Sequence, residues 1–245
     1  MLFIGTSGWI YNHWRKVFYP EDLENKNKLK YYSSHFKTTE INYSFYHLPK
    51  VNTFKKWYYG VPGDFIFAVK ISRFITHIKR LKGVKTPWRK FLNNALNLKE
   101  KLGPILFQFP PSFKNTEENI KRIKIFFEFH KKPKIELKIA LEFRHLSWLK
   151  KNIYNLLKDY HLAWVISDSP HWPRLDLVTT NFVYLRMHGS RVLFSSKYSN
   201  KELEDLAQKI KIWQKKKLDI FVYFNNDAEG YAVENAKTLK KLSIY

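Results

Sequence analysis

The strongest constraint on the fold is an alternation that runs through the whole sequence. Short apolar runs rich in β-branched residues alternate with segments whose apolar residues recur every three to four positions, which predicts strands separated by amphipathic helices. Eight such runs in 245 residues leave about 31 residues per unit, the length of a βα repeat with right-handed parallel crossovers. The predicted strands are Leu2–Thr6, Thr38–Asn42, Phe65–Lys70, Pro104–Gln108, Lys138–Phe143, Leu162–Ser167, Phe182–Met187 and Leu218–Phe224.

Eight parallel βα units close most simply as an α/β TIM-like (β/α)8 barrel, and we expect residues 1–245 to form one such domain. An open doubly wound sheet is the alternative. The sixth helix is predicted to be short or missing, because the 13 residues from Ser169 to Asn181 include Pro170 and Pro173. Helix starts are predicted from three capping signals, which are Ser199 with Glu202, Asn115 with Glu118, and Ser147.

Composition bounds the partners and the chemistry. Lys plus Arg is 44 against 21 Asp plus Glu, a net charge of +23, which suits either nucleic acid or a merely lysine-rich surface. Cysteine is absent, which excludes disulfides, thiolate metal sites and a cysteine nucleophile. No membrane span and no signal peptide are predicted, so we expect a cytoplasmic protein.

Polar residues gather where the predicted strands end. In the stretch TTEINYSFYHLP, from Thr38 to Pro49, Glu40 and Asn42 are two residues apart and therefore share a strand face. Because barrel enzymes place their sites at the carboxyl ends of the strands, these residues predict one shared site. Other strand-end members are Lys70, Gln108, Glu142, Arg144, Asp168, Arg186, His188 and Asn225.

Glu142, Asp168, His188 and Lys70 are the catalytic candidates among these residues. Lys70 follows an apolar strand and is either a desolvated amine fit for proton transfer or a Schiff base, or a structural cation. The carboxylates of Glu142 and Asp168, with Glu40, are either acid, base or metal ligands, or partners of the nearby cations. We expect no metal, because carboxylates and cations balance, although a divalent ion stays open.

The remaining candidates are substrate contacts. Arg144 and Arg186 are expected to clamp an anion, and Glu142 with Arg144 to form a partly buried pair whose rupture costs roughly 3–5 kcal/mol. Trp9 and Tyr11, in the loop after the first strand, either stack on a ligand or cap the barrel. His77 looks like a further anion contact, between Arg73 and Arg80.

Two loops near the end of the chain suggest a phosphate site. TIM barrels often bind phosphate after the seventh and eighth strands, where small residues expose backbone N–H groups. Here these loops contain Gly189 and Ser190, then Asn225 and Asn226. The alternative is that the glycines only serve turns.

Several motifs together resemble a known family. They are GTSGWIYNHW at 5–14, FYP at 18–20, TTEINYSFYHLP at 38–49, FAVK at 67–70, RFITH at 73–77, ILFQFPPSF at 105–113, EFRHLSW at 142–148, YLRMHG at 184–189 and YFNND at 223–227. The chain resembles the YecE-like family, also described as domain of unknown function seventy-two, over essentially its whole length. The resemblance implies a TIM-like barrel and no established reaction. It transfers motif positions without roles, and these are Glu40, Asn42, Lys70, His77, Gln108, Glu142, Arg144, Asp168, Arg186, His188, Asn225 and Asn226.

The function that these residues favour is a hydrolase or lyase acting on a small or oligomeric anionic substrate, phosphorylated or not, at the carboxyl ends of the barrel strands. One alternative is a metal-dependent phosphoesterase or sugar isomerase that uses Glu40, Glu142, Asp168 and His188. Another is a nucleic-acid-binding barrel without catalysis, for which a one-sided stripe of lysines would be the sign.

Overall fold

Eight parallel strands form a nearly closed barrel, as the alternation predicts. The structure is a computed structural model that describes residues 1–130 and 136–243. The ladder runs in the order β1-β8-β7-β6-β5-β4-β3-β2, so each strand pairs with its neighbours in sequence. The strands are β1 (Leu2–Thr6), β2 (Thr38–Ile41), β3 (Ile66–Lys70), β4 (Leu102–Gln108), β5 (Ile139–Glu142), β6 (Leu162–Asp168), β7 (Phe182–Met187) and β8 (Asp219–Phe224).

Helices connect all consecutive strands except β6 and β7, where the described chain forms an extended loop, as the two prolines predict. None of the described helices is both long and apolar enough to cross a membrane. The helices are α1 (Lys28–His35), α2 (Tyr43–Tyr46), α3 (Val51–Tyr59), α4 (Lys85–Ala95), α5 (Glu117–His130), α6 (Lys151–Asp159), α7 (Asn200–Lys215) and α8 (Tyr231–Leu242).

Only one of the three capping predictions is confirmed. Ser199 and Glu202 form a complete capping box at α7. Asn115 does not cap α5. The Thr116 hydroxyl takes that place and accepts a hydrogen bond from the Asn119 backbone N–H in the first turn. The Ser147 hydroxyl instead accepts from the Asn115 backbone N–H at 2.8 Å, so it joins two loops and caps no α-helix.

The alternation of side chains along each strand separates two apolar layers. Alternate strand residues fill the barrel interior, and the residues between them pack against the helices. Small side chains on β3, β5 and β6, namely Ala68, Ala140 and Ala163, share the interior with bulky ones on the other side, such as Tyr184 and Phe221. This difference in volume fills the lumen, so the barrel is a packed core and not a pore.

The barrel closes between β1 and β2 through a side chain instead of a backbone ladder. The buried Tyr32 hydroxyl accepts from the Thr6 N–H at 2.9 Å and donates to the Thr38 carbonyl at 3.0 Å. Gly5 allows this approach, because a Cβ there would lie 2.1 Å from the Thr38 carbonyl oxygen. Tyr32 therefore satisfies two backbone groups that would otherwise be buried without partners.

We expect Tyr32→Phe to lower the free energy of unfolding by about 1–3 kcal/mol, because it leaves those two buried groups unpaired. Tyr59→Phe is the matched control, since Tyr59 is 75% exposed, and it should leave stability unchanged. Urea denaturation followed by circular dichroism measures both. Equal stability of the two variants would mean that the Tyr32 hydroxyl does not close the barrel.

Candidate functional site

The side chains of the uppermost interior layer surround a cavity at the carboxyl ends of the strands. The cavity, called here the mouth cavity, has a volume of about 830 Å³. Its lining is dominated by cationic and amide groups on one side. The lining residues are Tyr11, His13, Asn42, Phe45, Tyr46, Lys70, Arg73, His77, Gln108, Arg144, Arg186, Phe194, Asn225, Asp227 and Ala228.

A buried guanidinium forms the floor of this cavity. Arg186 on β7 is 1% exposed and binds Glu40 of β2 through both Nε and Nη2, at 3.0 and 2.8 Å. Its Nη1 donates to Glu142 of β5 at 2.5 Å, and the Tyr184 hydroxyl donates to the Glu40 carboxylate at 2.7 Å. One cation therefore links three strands across the barrel.

Both carboxylates stay ionised in this network. Burial alone would raise the pKa of Glu40, but the Arg186 guanidinium holds it below its usual value. Burial acts in the same direction on Glu142, and there Arg144 and Arg186 together hold the pKa well below the usual range. Neither glutamate lines the mouth cavity, so they act on it as fixed negative charges beneath the floor.

Arg144 forms the predicted pair with Glu142 and is also held by an aromatic ring. Its Nε donates to the Glu142 carboxylate at 2.6 Å, and its side chain is 15% exposed. The guanidinium carbon lies 4.0 Å from the ring centre of Trp172, a cation–π contact. Trp172 comes from the helix-free loop after β6 and is fixed by its own bond to Ser167, at 2.6 Å.

Lys70 is nearly buried and has no anionic partner in the described part of the chain. Its Nζ lies 4.0 Å from the ring centre of Phe45, and the side chain is 8% exposed. Burial and, next, repulsion from Arg186 lower the pKa of the Lys70 ammonium to about 7, although Glu40 and Glu142 oppose this shift. An appreciable fraction of Lys70 is therefore a neutral amine near neutral pH.

His77 and Gln108 continue the wall beside Lys70. His77 lies on a single π-helical turn, Phe74–Ile78, a distortion often found at functional sites. Its Nε2 lies 3.3 Å from the Gln108 amide nitrogen. Burial, followed by the charges of Lys70 and Arg144, lowers the pKa of His77 to about 4, so its imidazole is neutral at physiological pH.

His188 shares the face of Arg186, but it is fully buried and does not line the mouth cavity. The Asn225 amide nitrogen lies 3.0 Å from its Nδ1, and a Glu142 oxygen lies 3.7 Å from its Nε2. Burial and the Arg186 charge lower the pKa of His188 to about 4. The catalytic role predicted for it stays a prediction, and its contacts are those of a support for the network.

The opposite wall of the mouth cavity contains a carboxylate. Asp227 accepts from the Trp14 indole at 2.7 Å, and one of its oxygens lies 3.0 Å from His13 Nε2. Burial raises the pKa of Asp227 to about 6, against the lowering effect of Trp14 and His13. The cavity is therefore polarised, with the cations of Lys70 and Arg144 on one side and a weakly acidic group on the other.

Asp168 is not brought into the mouth cavity, contrary to the prediction that it belongs to the shared site. It extends β6 by one residue and follows Ser167, which lies opposite the inward-facing Arg186 in the ladder. Side chains alternate along a strand, so Asp168 faces the helices. There it binds Arg174 at 2.6 Å, beside a separate cavity of about 220 Å³.

The loops after β7 and β8 do not present the predicted phosphate cradle. The Gly189 N–H donates to the Tyr198 hydroxyl at 2.9 Å, and the Asn226 amide group donates to Ser196 and Asn235. Ser190 lines the same separate cavity as Asp168. These groups already have partners or lie elsewhere, so of the four loop residues only Asn225 lines the mouth cavity.

Trp9 is 5% exposed and packs edge-on against Trp57, at 5.5 Å between ring centres. It packs over the barrel and does not line the mouth cavity. Tyr11 does line the mouth, and its hydroxyl donates to the Ser7 carbonyl. A second cavity of about 730 Å³ lies on the far side of Tyr11 and Asn42. The aromatic loop after β1 therefore separates two adjoining cavities.

The carboxylates and imidazoles of the site are dispersed. Among residues 1–130 and 136–243, no three His, Asp or Glu side chains are grouped so that they could hold a metal ion. Glu40 and Glu142 both face Arg186, and Asp168 faces away from them. The ligand set that a metal-dependent phosphoesterase or isomerase would need is therefore not assembled by Glu40, Glu142, Asp168 and His188.

Several residues of the site were not predicted as its members, among them Asp227 and His13 of the mouth cavity. Tyr184 could have been found, because it lies two positions before Arg186 on the same strand face. Arg73 was noted only as a neighbour of His77. Phe45 and Trp172 carry no sequence signal, since only the fold brings them to Lys70 and Arg144.

Comparisons with known proteins give one consistent result. Residues 3–244 match the family described as "Protein of unknown function DUF72", the family that the sequence motifs resemble. The UPF0759 protein YunF of Bacillus subtilis is 28% identical over an alignment of 278 residues, which covers 99% of this chain and 94% of YunF. The crystal structure of a DUF72 family protein from Thermotoga maritima is similar over the full length of both chains, with a TM-score of 0.90 and 30% identity. A DUF72 family protein from Enterococcus faecalis, 22% identical, shares the fold with a TM-score of 0.84 over 100% of this chain and 96% of its own.

Removal of the floor cation should be far more damaging than removal of Arg144. Arg186→Met leaves the buried Glu40 without its cation and Glu142 with Arg144 alone, and we expect it to lower the free energy of unfolding by about 3–5 kcal/mol or to prevent folding. Arg144→Leu should cost less than the sequence predicted, about 1.5–3 kcal/mol, because Glu142 keeps its bond to Arg186.

Lys201→Ala is the control for this comparison, since it breaks an exposed pair with Asp205 and should change stability by no more than about 0.5 kcal/mol. Urea denaturation gives all three values. If Arg144→Leu proved as harmless as the control, the Glu142–Arg144 pair would have to be solvated instead of partly buried.

Proposed function

The chain belongs to the DUF72 family, and we propose that it is an enzyme of the hydrolase or lyase type that acts on a small anionic substrate in the mouth cavity. The observation that carries this proposal is the Lys70 amine, buried beside two arginines and without an anionic partner in the described residues. Such an amine can accept a proton from a bound substrate, while the cavity-lining Arg73 and Arg144 hold the substrate's anionic group.

The arrangement around Lys70 supports an anionic group in the substrate. Arg73 and Arg144 line the same cavity, and only the Nε of Arg144 is engaged by Glu142. Its terminal N–H groups have no hydrogen-bond partner in the described structure, and they suit bidentate contact with a phosphate or carboxylate. The anion is thus proposed beside β3 and β5, in place of the predicted position after β7 and β8.

The neutral form of Lys70 supplies the proposed proton acceptor. A base works best when its pKa lies close to the working pH, and the pKa of Lys70 is about 7. In a hydrolase the amine would take the proton of an attacking water, and in a lyase it would take a proton from a substrate carbon. Glu142 and Glu40 are too weakly basic for this step, so we propose that they position the arginines.

This function can be tested with a panel of small phosphorylated and carboxylated compounds, with inorganic phosphate as the simplest probe. Binding is measured by calorimetry and turnover by mass spectrometry of the products. We expect Lys70→Met to abolish turnover, and Arg144→Met to weaken anion binding by about tenfold or more, equivalent to loss of one charged contact. Lys90→Met, an exposed change on α4, should have no effect. Failure of every anion to bind in the wild type would refute the proposal.

The destabilising effect of the buried Lys70 amine should be visible as a pH-dependent difference in stability between the wild type and Lys70→Met. The folded-state pKa of Lys70, about 7, lies below its usual value of 10.5, so between these values the unfolded chain binds more protons and stability rises with pH. Lys70→Met removes this effect. We therefore expect the variant to be more stable than the wild type at pH 6–7, with the advantage shrinking toward pH 10.

Urea denaturation of both proteins at pH 6, 8 and 10 measures that difference, in which other titrating groups cancel. A difference that does not change with pH would show that Lys70 titrates normally, and the proton acceptor would then have to be another group.

A further inference from the structure

A second cavity adjoins the mouth cavity and differs from it in chemistry. It is lined mainly by aromatic and aliphatic side chains, and its volume is about 730 Å³. We call it the aromatic groove. The lining residues are Gly8, Trp9, Ile10, Tyr11, Asn42, Tyr43, Leu48, Pro49, Lys50, Thr53 and Trp57.

The two cavities are adjacent, because Tyr11 and Asn42 line both of them. Tyr11 is anchored at this boundary by its bond to the Ser7 carbonyl, and the Asn42 amide donates to the same oxygen at 3.2 Å. The Asn42 Oδ1 has no hydrogen-bond partner in the described structure. The Asn42 side chain is thus fixed at the boundary by its bond to Ser7, with its Oδ1 buried.

The groove offers aromatic surface that the fold does not need to expose. Tyr43 is 56% exposed and Ile10 is 57% exposed, although both lie at the entrance of a cavity. Trp57 is half-buried and is held at right angles to Trp9 and Phe54. Rigid aromatic side chains of this kind bind flat rings by stacking at little cost in conformational entropy.

We propose that the aromatic groove binds a planar aromatic ring of the same substrate whose anionic group is held by Arg73 and Arg144. The substrate class is then an aromatic compound that carries a phosphate or carboxylate on a short linker, such as an aryl phosphate or a nucleoside monophosphate. This inference rests on the proposed function, since it assumes that the mouth cavity holds the anion. Polarity supports a single ligand with two ends: the cations lie in one cavity, the apolar rings lie in the next, and the two cavities share Tyr11 and Asn42 as their boundary.

Calorimetric titration of the full chain with matched probes tests the inference. The ringless anions are inorganic phosphate and ribose 5-phosphate. The ring-bearing anions are phenyl phosphate and adenosine 5′-monophosphate, and adenosine supplies a ring without an anion. We expect ring-bearing anions to bind at least about tenfold more tightly than their ringless counterparts. Comparison of the two ring-bearing probes separates an aryl phosphate from a nucleotide.

Variants on each side of the boundary show which cavity provides the gain in affinity of the ring-bearing anions. Tyr43→Ala and Trp57→Leu should remove most of the tenfold gain and leave the affinity for inorganic phosphate unchanged. Tyr43→Ala alone suffices if Trp57→Leu is unstable, because Tyr43 is exposed. Tyr59→Ala, at an exposed position of α3 outside the groove, is the control and should change nothing. Arg144→Met should weaken ringless and ring-bearing anions alike.

The outcomes separate the two proposals. If phosphate binds and a ring adds no affinity, or if the gain survives Tyr43→Ala and Trp57→Leu, the inference about the groove is overturned and the proposed function stands. If no anion binds, the proposed function fails and this inference fails with it. Binding of adenosine that is as tight as that of the monophosphate would overturn the link between the two cavities.

Discussion

The structure depends on one buried cation. Arg186 is removed from water at the top of a packed barrel, and such a charge is tolerated only when it is paired and fully hydrogen-bonded. Glu40 and Glu142 provide that compensation from two other strands, with bond lengths between 2.5 and 3.0 Å. A lysine could not replace it, because the planar guanidinium serves two carboxylates at once in a fixed geometry. The positions of β2, β5 and β7 at the mouth are thereby coupled to one another.

This pairing determines the properties of the residues above it. The two glutamates are occupied by arginines, so Lys70 receives their long-range field and no direct ion pair in the described structure. Burial disfavours the Lys70 ammonium most strongly, and the Arg186 charge adds to that effect. A low pKa for Lys70 is therefore a consequence of how the other charges are matched. Such an amine lowers stability at neutral pH, a cost that proteins commonly accept at functional sites.

Loops and strand gaps complete the mouth in ways that regular βα units would not. The segment after β6 has no helix, and in return it brings Trp172 against Arg144 and His188. The gap between β1 and β2 is bridged by Tyr32, and Tyr11 of the loop after β1 lies at the boundary between the two cavities. Departures from the repeat are thus concentrated around the site, where a local rule is most often broken for function.

The amino-acid sequence by itself determined the barrel fold and the end of the barrel at which the site lies. Strand positions follow from apolar runs, and the shared face of Arg186 and His188 follows from a two-residue period, both of which are local properties. The predicted strand face shared by Glu40 and Asn42 is not formed, because β2 ends at Ile41 and Asn42 is already helical. The family resemblance could also be read from motifs. The period in β6 even contained the information that Ser167 faces inward and Asp168 outward, but the end of a strand is hard to locate to one residue.

Only the tertiary structure decided which charges face each other and which stay free. Arg186 meets Glu40 and Glu142 across 146 and 44 residues of sequence, and no local pattern specifies such partners. Lys70 loses its water because Phe45 covers it, and the Gly189 amide is used by Tyr198 instead of a ligand. Pairing and desolvation depend on distances between remote strands and loops. These distances exist only once the barrel has closed, and for that reason the chemistry of the site could not be read from the chain alone.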